Sequence, residues 1–365
     1  MTHTLREIQQ QPETWLDTCD RLIVRRASLK GLLDGIRLLV LSGSGSSQFA
    51  GECVRSVLQK ELGITVEAID GGALLTHGPE AMAPRRPALV VSLARSGNSP
   101  ESVGAVSLLL DEAPEIRHLV LTCNGDGELA RTPVETVVLD DRTNDRSLVM
   151  TSSFTNLVLA ARFLSLLHQP ERYRSICCAL AESCRALLER HSETLAGVAR
   201  TPFDRAVFLG NGPARESSLK MLEMTAGRVA TMFETYLGLR HGPMSFINSG
   251  TLVICFLSSD PHLRDYELDV IRELNHKRLG AMKLIVGARI PSELLLDRDQ
   301  PIELPGIEQI GDNNSAVLNV VAGQLLAFFR CLEEGLKPDA PSENGIISRV
   351  VEDFPIYRRG KESVR

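Results

Sequence analysis

Short apolar runs recur along the chain, each ending in small polar residues and each followed by apolar positions at helical spacing. Residues 37–41, 64–69, 88–93, 118–122 and 136–139 predict strands, and residues 48–61, 100–110 and 151–167 the helices between them, with Pro100 at an early helical position. Strands this uniformly apolar have no wet face. Alternating with helices, they predict a parallel sheet covered on both sides.

The pattern then repeats. Residues 205–209 run into Gly210-Asn211-Gly212 as residues 37–41 run into a small-residue turn at 42–47. Residues 251–257 run into Ser258-Ser259-Asp260 as residues 88–93 run into Ala94-Arg95-Ser96-Gly97-Asn98-Ser99. Residues 283–286 answer 118–122, and 313–329 answer 151–167. The offset stays near about 165 residues, which predicts an internal duplication. The expected organisation is a helical arm over 1–30, a first α/β domain over 31–190, a second over 191–336 and a tail over 337–365. In the arm, Trp15, Leu16, Cys19, Leu22 and Ile23 fall at helical spacing; residues 171–201, helical and polar, bridge the halves. The tail opens Lys337-Pro338-Asp339-Ala340-Pro341, an extended signal, and ends in a charged, frayed stretch at 358–365.

Length and composition narrow the function. A chain of 365 residues can bury two cores. A net charge of −6 argues against a nucleic-acid partner. There is no run of about 18 consecutive apolar residues, so no membrane span is expected. The first residues are polar and lack a signal peptide's apolar core, which points to the cytoplasm. The eight cysteines include no C-x-x-C and the eight histidines no H-E-x-x-H, so reduced thiols and no metal site are expected. No G-K-[ST] follows either Gly-rich turn and no dinucleotide fingerprint is clear, so no cofactor is expected.

The chemistry concentrates in three places. Ser44, Gly45, Ser46 and Ser47 form one turn between strand and helix, and Arg95, Ser96, Gly97 and Ser99 belong to another. Each offers amides and hydroxyls at the positive end of a helix, a nest for phosphate that needs no net positive charge. Helix capping uses the same residues, but two caps need fewer serines than these. The second half has lost this equipment, so one site per chain is expected, mainly in the first half. Beyond Pro213, Glu216, Lys220 and Glu223 share one helix face beside a stripe of Leu219, Leu222, Ala226 and Val229. They form either a solvated ion pair or a carboxylate raised by burial into a useful base. Lastly, His241 is followed by Gly242-Pro243, on a turn, and is either structural or a proton carrier.

Gly45-Ser46-Ser47, the 94–102 stretch, Ser147 to Phe154, Leu222 to Gly227, Arg240-His241-Gly242-Pro243 and Arg349-Val350-Val351 together resemble the SIS (sugar isomerase) domains. The nearest likeness is to tagatose-6-phosphate ketose/aldose isomerases, also called galactosamine-6-phosphate deaminases, and beyond them to the isomerase half of glucosamine-6-phosphate synthase. The resemblance implies two tandem SIS domains with a flavodoxin-like three-layer sandwich, and a homodimer or homotetramer acting on a small sugar phosphate. It implies that Ser46, Ser47, Ser96 and Ser99 hold the phosphate and that Glu223 shuttles a proton between C1 and C2. It further implies that His241, from its own chain or from the partner subunit, opens the ring, and that Lys220, Glu216, Ser152 and Arg349 belong to the site. Ala94 replaces the first serine of the family's S-x-S-G turn, and Arg95 is expected to compensate. No glutaminase segment is seen, so ammonia release rather than glutamine hydrolysis is expected. The alternatives are a pure aldose–ketose isomerase, a non-catalytic sugar-phosphate sensor, and an etherase on a cell-wall amino sugar.

Overall fold

The computed structural model describes residues 2–343, 345–351 and 355–357; the charged end expected to fray, 358–365, lies outside the described residues. Five strands build the first sheet: β1 (Leu38–Gly43), β2 (Thr65–Asp70), β3 (Ala88–Ala94), β4 (Arg117–Thr122) and β5 (Glu135–Val138). Five build the second: β6 (Arg205–Leu209), β7 (Ala230–Glu234), β8 (Thr251–Phe256), β9 (Met282–Gly287) and β10 (Gln300–Glu303). The orders are β2-β1-β3-β4-β5 and β10-β9-β8-β6-β7, all parallel. Read from its other edge, the second order becomes the first, so the repeat in the sequence is a repeat of topology. The register repeats as well: Val40, Val90 and His118 form a row in one sheet, and Val207, Val253 and Lys283 form it in the other.

β7 and β10 were not legible in the apolar pattern. Both lie at sheet edges, where one side of the strand needs no partner; β10 carries Pro301 and β7 is half exposed. The arm is two helices, His3–Gln9 and Gln11–Leu33. Trp15 is fully buried and donates its indole N–H to Thr155 Oγ1 at 2.9 Å. The long helix Pro170–Arg200 packs beside Asp312–Glu333, and one apolar core runs through both halves. Helix Asp312–Glu333 is long and apolar enough to cross a membrane, but 83% of its most apolar stretch is buried in the protein, where that apolarity fills the core.

The helix after β6, Gly212–Met224, is shorter than its apolar stripe suggests. Ala226 at φ 50° and Gly227 at φ 76° turn the chain left-handed, and Gly227 N donates back to Leu222 O at 2.9 Å. Ala226 and Val229 therefore lie beyond the helix, and Leu222 is 41% exposed. The buried face is instead the one that carries Glu216 and Lys220.

Candidate active site

β1 and β3 are neighbours at the centre of the first sheet, and both end in the serine turns, at the carboxyl edge where open α/β sheets hold their ligands. Gly45 at φ 56° and Gly97 at φ 67° give the turns backbone angles that a side chain would resist. Helix Ser46–Leu62 starts after Gly45, and helix Pro100–Glu112 after Ser99; neither cap makes a side-chain hydrogen bond. Capping therefore does not account for the hydroxyls, and both turns line a cavity of about 470 Å³.

The opposite wall comes from the second half. Helix Gly212–Met224 lies against helix Ser46–Leu62, its counterpart in the duplication. Gly212 is needed there, because a Cβ would sit 2.8 Å from Cys53 Sγ. Lys220 is fully buried between the walls: its Nζ donates to Ser46 Oγ at 3.0 Å, lies 3.3 Å from Glu216 Oε1 and pairs closely with Glu223. The side chains of Glu216 and Lys220 are wholly buried, while Glu223 keeps 23% exposure and lines the cavity. Burial pushes the Glu216 carboxyl up to about 7; Lys220 opposes that rise and Glu223 adds to it. Burial works against the Lys220 ammonium, but the two carboxylates outweigh it and hold its pKa above the usual lysine value. The solvated ion pair is thus excluded. What the helix presents is a buried ammonium with one carboxylate behind it and one facing the cavity.

Of the residues singled out in the sequence, Ser44, Gly45, Ser46, Ser47, Arg95, Ser96, Gly97, Ser99, Glu223 and Arg349 line the cavity together. Lys220 and Glu216 stand directly behind Glu223. Ser152 does not reach the cavity: its hydroxyl donates to the buried Asp145 at 2.5 Å and so braces the start of helix Ser152–Phe163. His241 is exposed, its backbone N–H bonded to Gly238 O at 2.9 Å, and does not line the cavity within this chain. Arg349 lines it but turns its guanidinium to Asp145 O at 2.8 Å and Asn144 Oδ1 at 2.5 Å.

Glu101 was not singled out, yet it lines the cavity with one buried oxygen that has no hydrogen-bond partner among the described residues. Its place in the first turn of a helix opened by the serine turn is the signal that could have found it. Leu148 and Met150 add an apolar patch, with Met150 Sδ 3.8 Å from Ser47 Oγ. Among the described residues no cluster of His, Cys, Asp or Glu could hold a metal ion. An anion nest facing a carboxylate can fix one end of a ligand and move a proton at the other.

No protein-family profile matches the chain. It is 33% identical over 373 residues to D-galactosamine-6-phosphate deaminase AgaS of Escherichia coli O157:H7, covering 98% of this chain and 96% of that one. The crystal structure of tagatose-6-phosphate ketose/aldose isomerase from Escherichia coli superposes with a TM-score of 0.86 at 32% identity, over 93% of this chain and 95% of the other. A glutamine–fructose-6-phosphate aminotransferase of Pyrobaculum aerophilum is 26% identical over 353 residues, 92% of this chain but 56% of its own length. With a doubled parallel sheet, paired serine turns and near full-length identity above 30%, the chain belongs to the SIS-domain family of AgaS galactosamine-6-phosphate deaminases.

Proposed function

We propose that the protein is an amino-sugar-phosphate deaminase that converts galactosamine 6-phosphate, or a closely similar hexosamine 6-phosphate, to the ketose 6-phosphate and ammonia. The observation that carries this is Lys220, whose ammonium touches both Ser46 of the anion nest and Glu223 of the opposite wall. Phosphate sits on the amides and hydroxyls of the two serine turns. Glu223 takes the proton from C2 of the open-chain sugar, giving an enolamine, and returns it to C1. The resulting C2 imine adds water and loses ammonia, leaving the ketone. Lys220 stays charged beside Glu223 and holds that side chain at the cavity wall.

His241 is assigned to ring opening in the cavity of a partner subunit, since it lies on the surface of its own. That role requires at least a homodimer. The protein is assigned to the cytoplasm, with no nucleic-acid or membrane partner and no cofactor.

A second reading is the aldose–ketose isomerase named in the similar crystal structure. The same proton shuttle serves it when C2 carries a hydroxyl. Incubation with galactosamine 6-phosphate, glucosamine 6-phosphate and tagatose 6-phosphate, following ammonia and ketose separately, decides between them. Ammonia released in step with ketose supports deamination. Turnover confined to the amine-free sugar makes the protein an isomerase, and binding without turnover makes it a sensor.

A further inference from the structure

We propose that Arg95 is a positioning residue that clasps the C-terminal segment over the cavity, and that holding the phosphate is not its task. From the sequence alone, an arginine inside a serine turn is an anion ligand. In the structure Arg95 is only 7% exposed and its guanidinium is spent on carbonyls. Nη1 donates to Leu148 O at 2.9 Å and to Ser147 O at 3.4 Å, and Nη2 to Arg349 O at 2.7 Å. The fork is planar and rigid, so partners on both Nη atoms fix its direction.

The contacts are reciprocal. Arg95 reaches across to the backbone of Arg349, and Arg349 reaches back to Asn144 and Asp145, in the same loop that supplies Ser147 and Leu148. That loop is itself anchored. The fully buried Asp145 carboxylate accepts from Thr151 N at 2.7 Å and Ser153 N at 2.9 Å, and Glu7 of the arm accepts from Arg146 N at 2.6 Å. The near end of the tail is pinned too: Asp339 accepts from Thr4 N and Thr4 Oγ1, both at 2.8 Å, and its own carbonyl accepts from Leu148 N at 3.1 Å.

Between these two anchors Ile346, Ile347 and Ser348 form part of the cavity wall. Ile346 is 80% and Val351 50% exposed, so apolar burial contributes little to holding the segment. The crossed arginines tie its far end to the 144–148 loop, and in this proposal closing the cavity depends on them.

The inference rests on the proposed function only in taking this cavity as the sugar-phosphate site. The test uses the full chain without substrate. Amide hydrogen exchange over residues 345–351 is measured for Arg95→Gln, Arg95→Lys, Arg349→Ala and the Arg95→Gln/Arg349→Ala pair, with calorimetric binding of inorganic phosphate alongside. Each single variant is expected to speed tail exchange about tenfold, and the pair no more than the faster single, because both break one clasp. Phosphate affinity should stay within about twofold, the size expected where no direct ligand is lost. Unchanged tail exchange in Arg95→Gln and Arg95→Lys overturns the proposal. So does a loss of phosphate affinity in Arg95→Gln that Arg95→Lys restores. If the unaltered protein binds no phosphate, the proposed function fails, while tail exchange still decides the clasp.

Discussion

The two halves share a strand order and differ in what fills the turn after their third strand. After β3, Ser96 and Ser99 face an open cavity. After β8, Ser259 N and Oγ each donate to Asp312 Oδ1 at 2.7 Å, Ser258 Oγ bonds the other oxygen, and Ser258 N donates to Glu267 at 2.7 Å. Asp260 caps its own helix, accepting from His262 N at 2.9 Å. The second half thus satisfies its nest with its own carboxylates, where the first leaves room for a ligand's anion. The same fold leaves an open cavity after β3 in one copy and a closed brace after β8 in the other.

A second contrast lies inside the sheets. His118 and Lys283 hold the same row position, both buried. Lys283 pairs with Asp299 at 2.9 Å, whereas neither ring nitrogen of His118 has a hydrogen-bond partner among the described residues. Burial depresses the His118 pKa to about 4.

These contrasts can be broken one at a time. The largest effect is expected from Lys283→Met, which leaves Asp299 buried without its cation and should cost about 3–5 kcal/mol in urea unfolding. Acid should act next, through the first half. An imidazole whose folded pKa lies below its unfolded value stabilises the fold above pH 6.5, and that stability is lost as pH falls toward 4. The loss is about 3 kcal/mol, and His118→Leu should flatten that part of a stability–pH profile. Subtler is the pair of serine exchanges. Ser99→Ala should raise KM about tenfold with kcat little changed, since it removes a hydrogen bond to a charged ligand. Ser259→Ala should leave KM alone and lower stability by about 1 kcal/mol. Equal effects of the two on KM would erase the contrast.

Much of this was legible in the sequence because burial on both faces writes itself as uninterrupted apolar runs. The inner strands of both sheets, the duplication, the serine turns and the Glu216-Lys220-Glu223 face follow from spacing and composition. Edge strands β7 and β10 escaped, β7 because it is half exposed and β10 because it carries Pro301, whereas the edge strands β2 and β5 kept legible apolar runs. The destinations of long polar side chains escaped as well. Nothing near Arg95 in sequence announces that carbonyls at 147, 148 and 349 will claim it, and nothing near Ser152 announces the buried Asp145. Those partners meet only once the chain has folded back on itself.

The central claim is that the second half lends its carboxylate to a sugar phosphate held by the first. Glu223→Gln keeps the shape of the wall and removes the base, so its turnover of galactosamine 6-phosphate, followed as ammonia release beside exchange of the C2 proton with D₂O, tests that claim most directly. Ammonia release and C2 exchange should fall together by about 10²–10⁴-fold while KM moves by no more than a few-fold. Turnover and exchange at the level of the unaltered protein would contradict it.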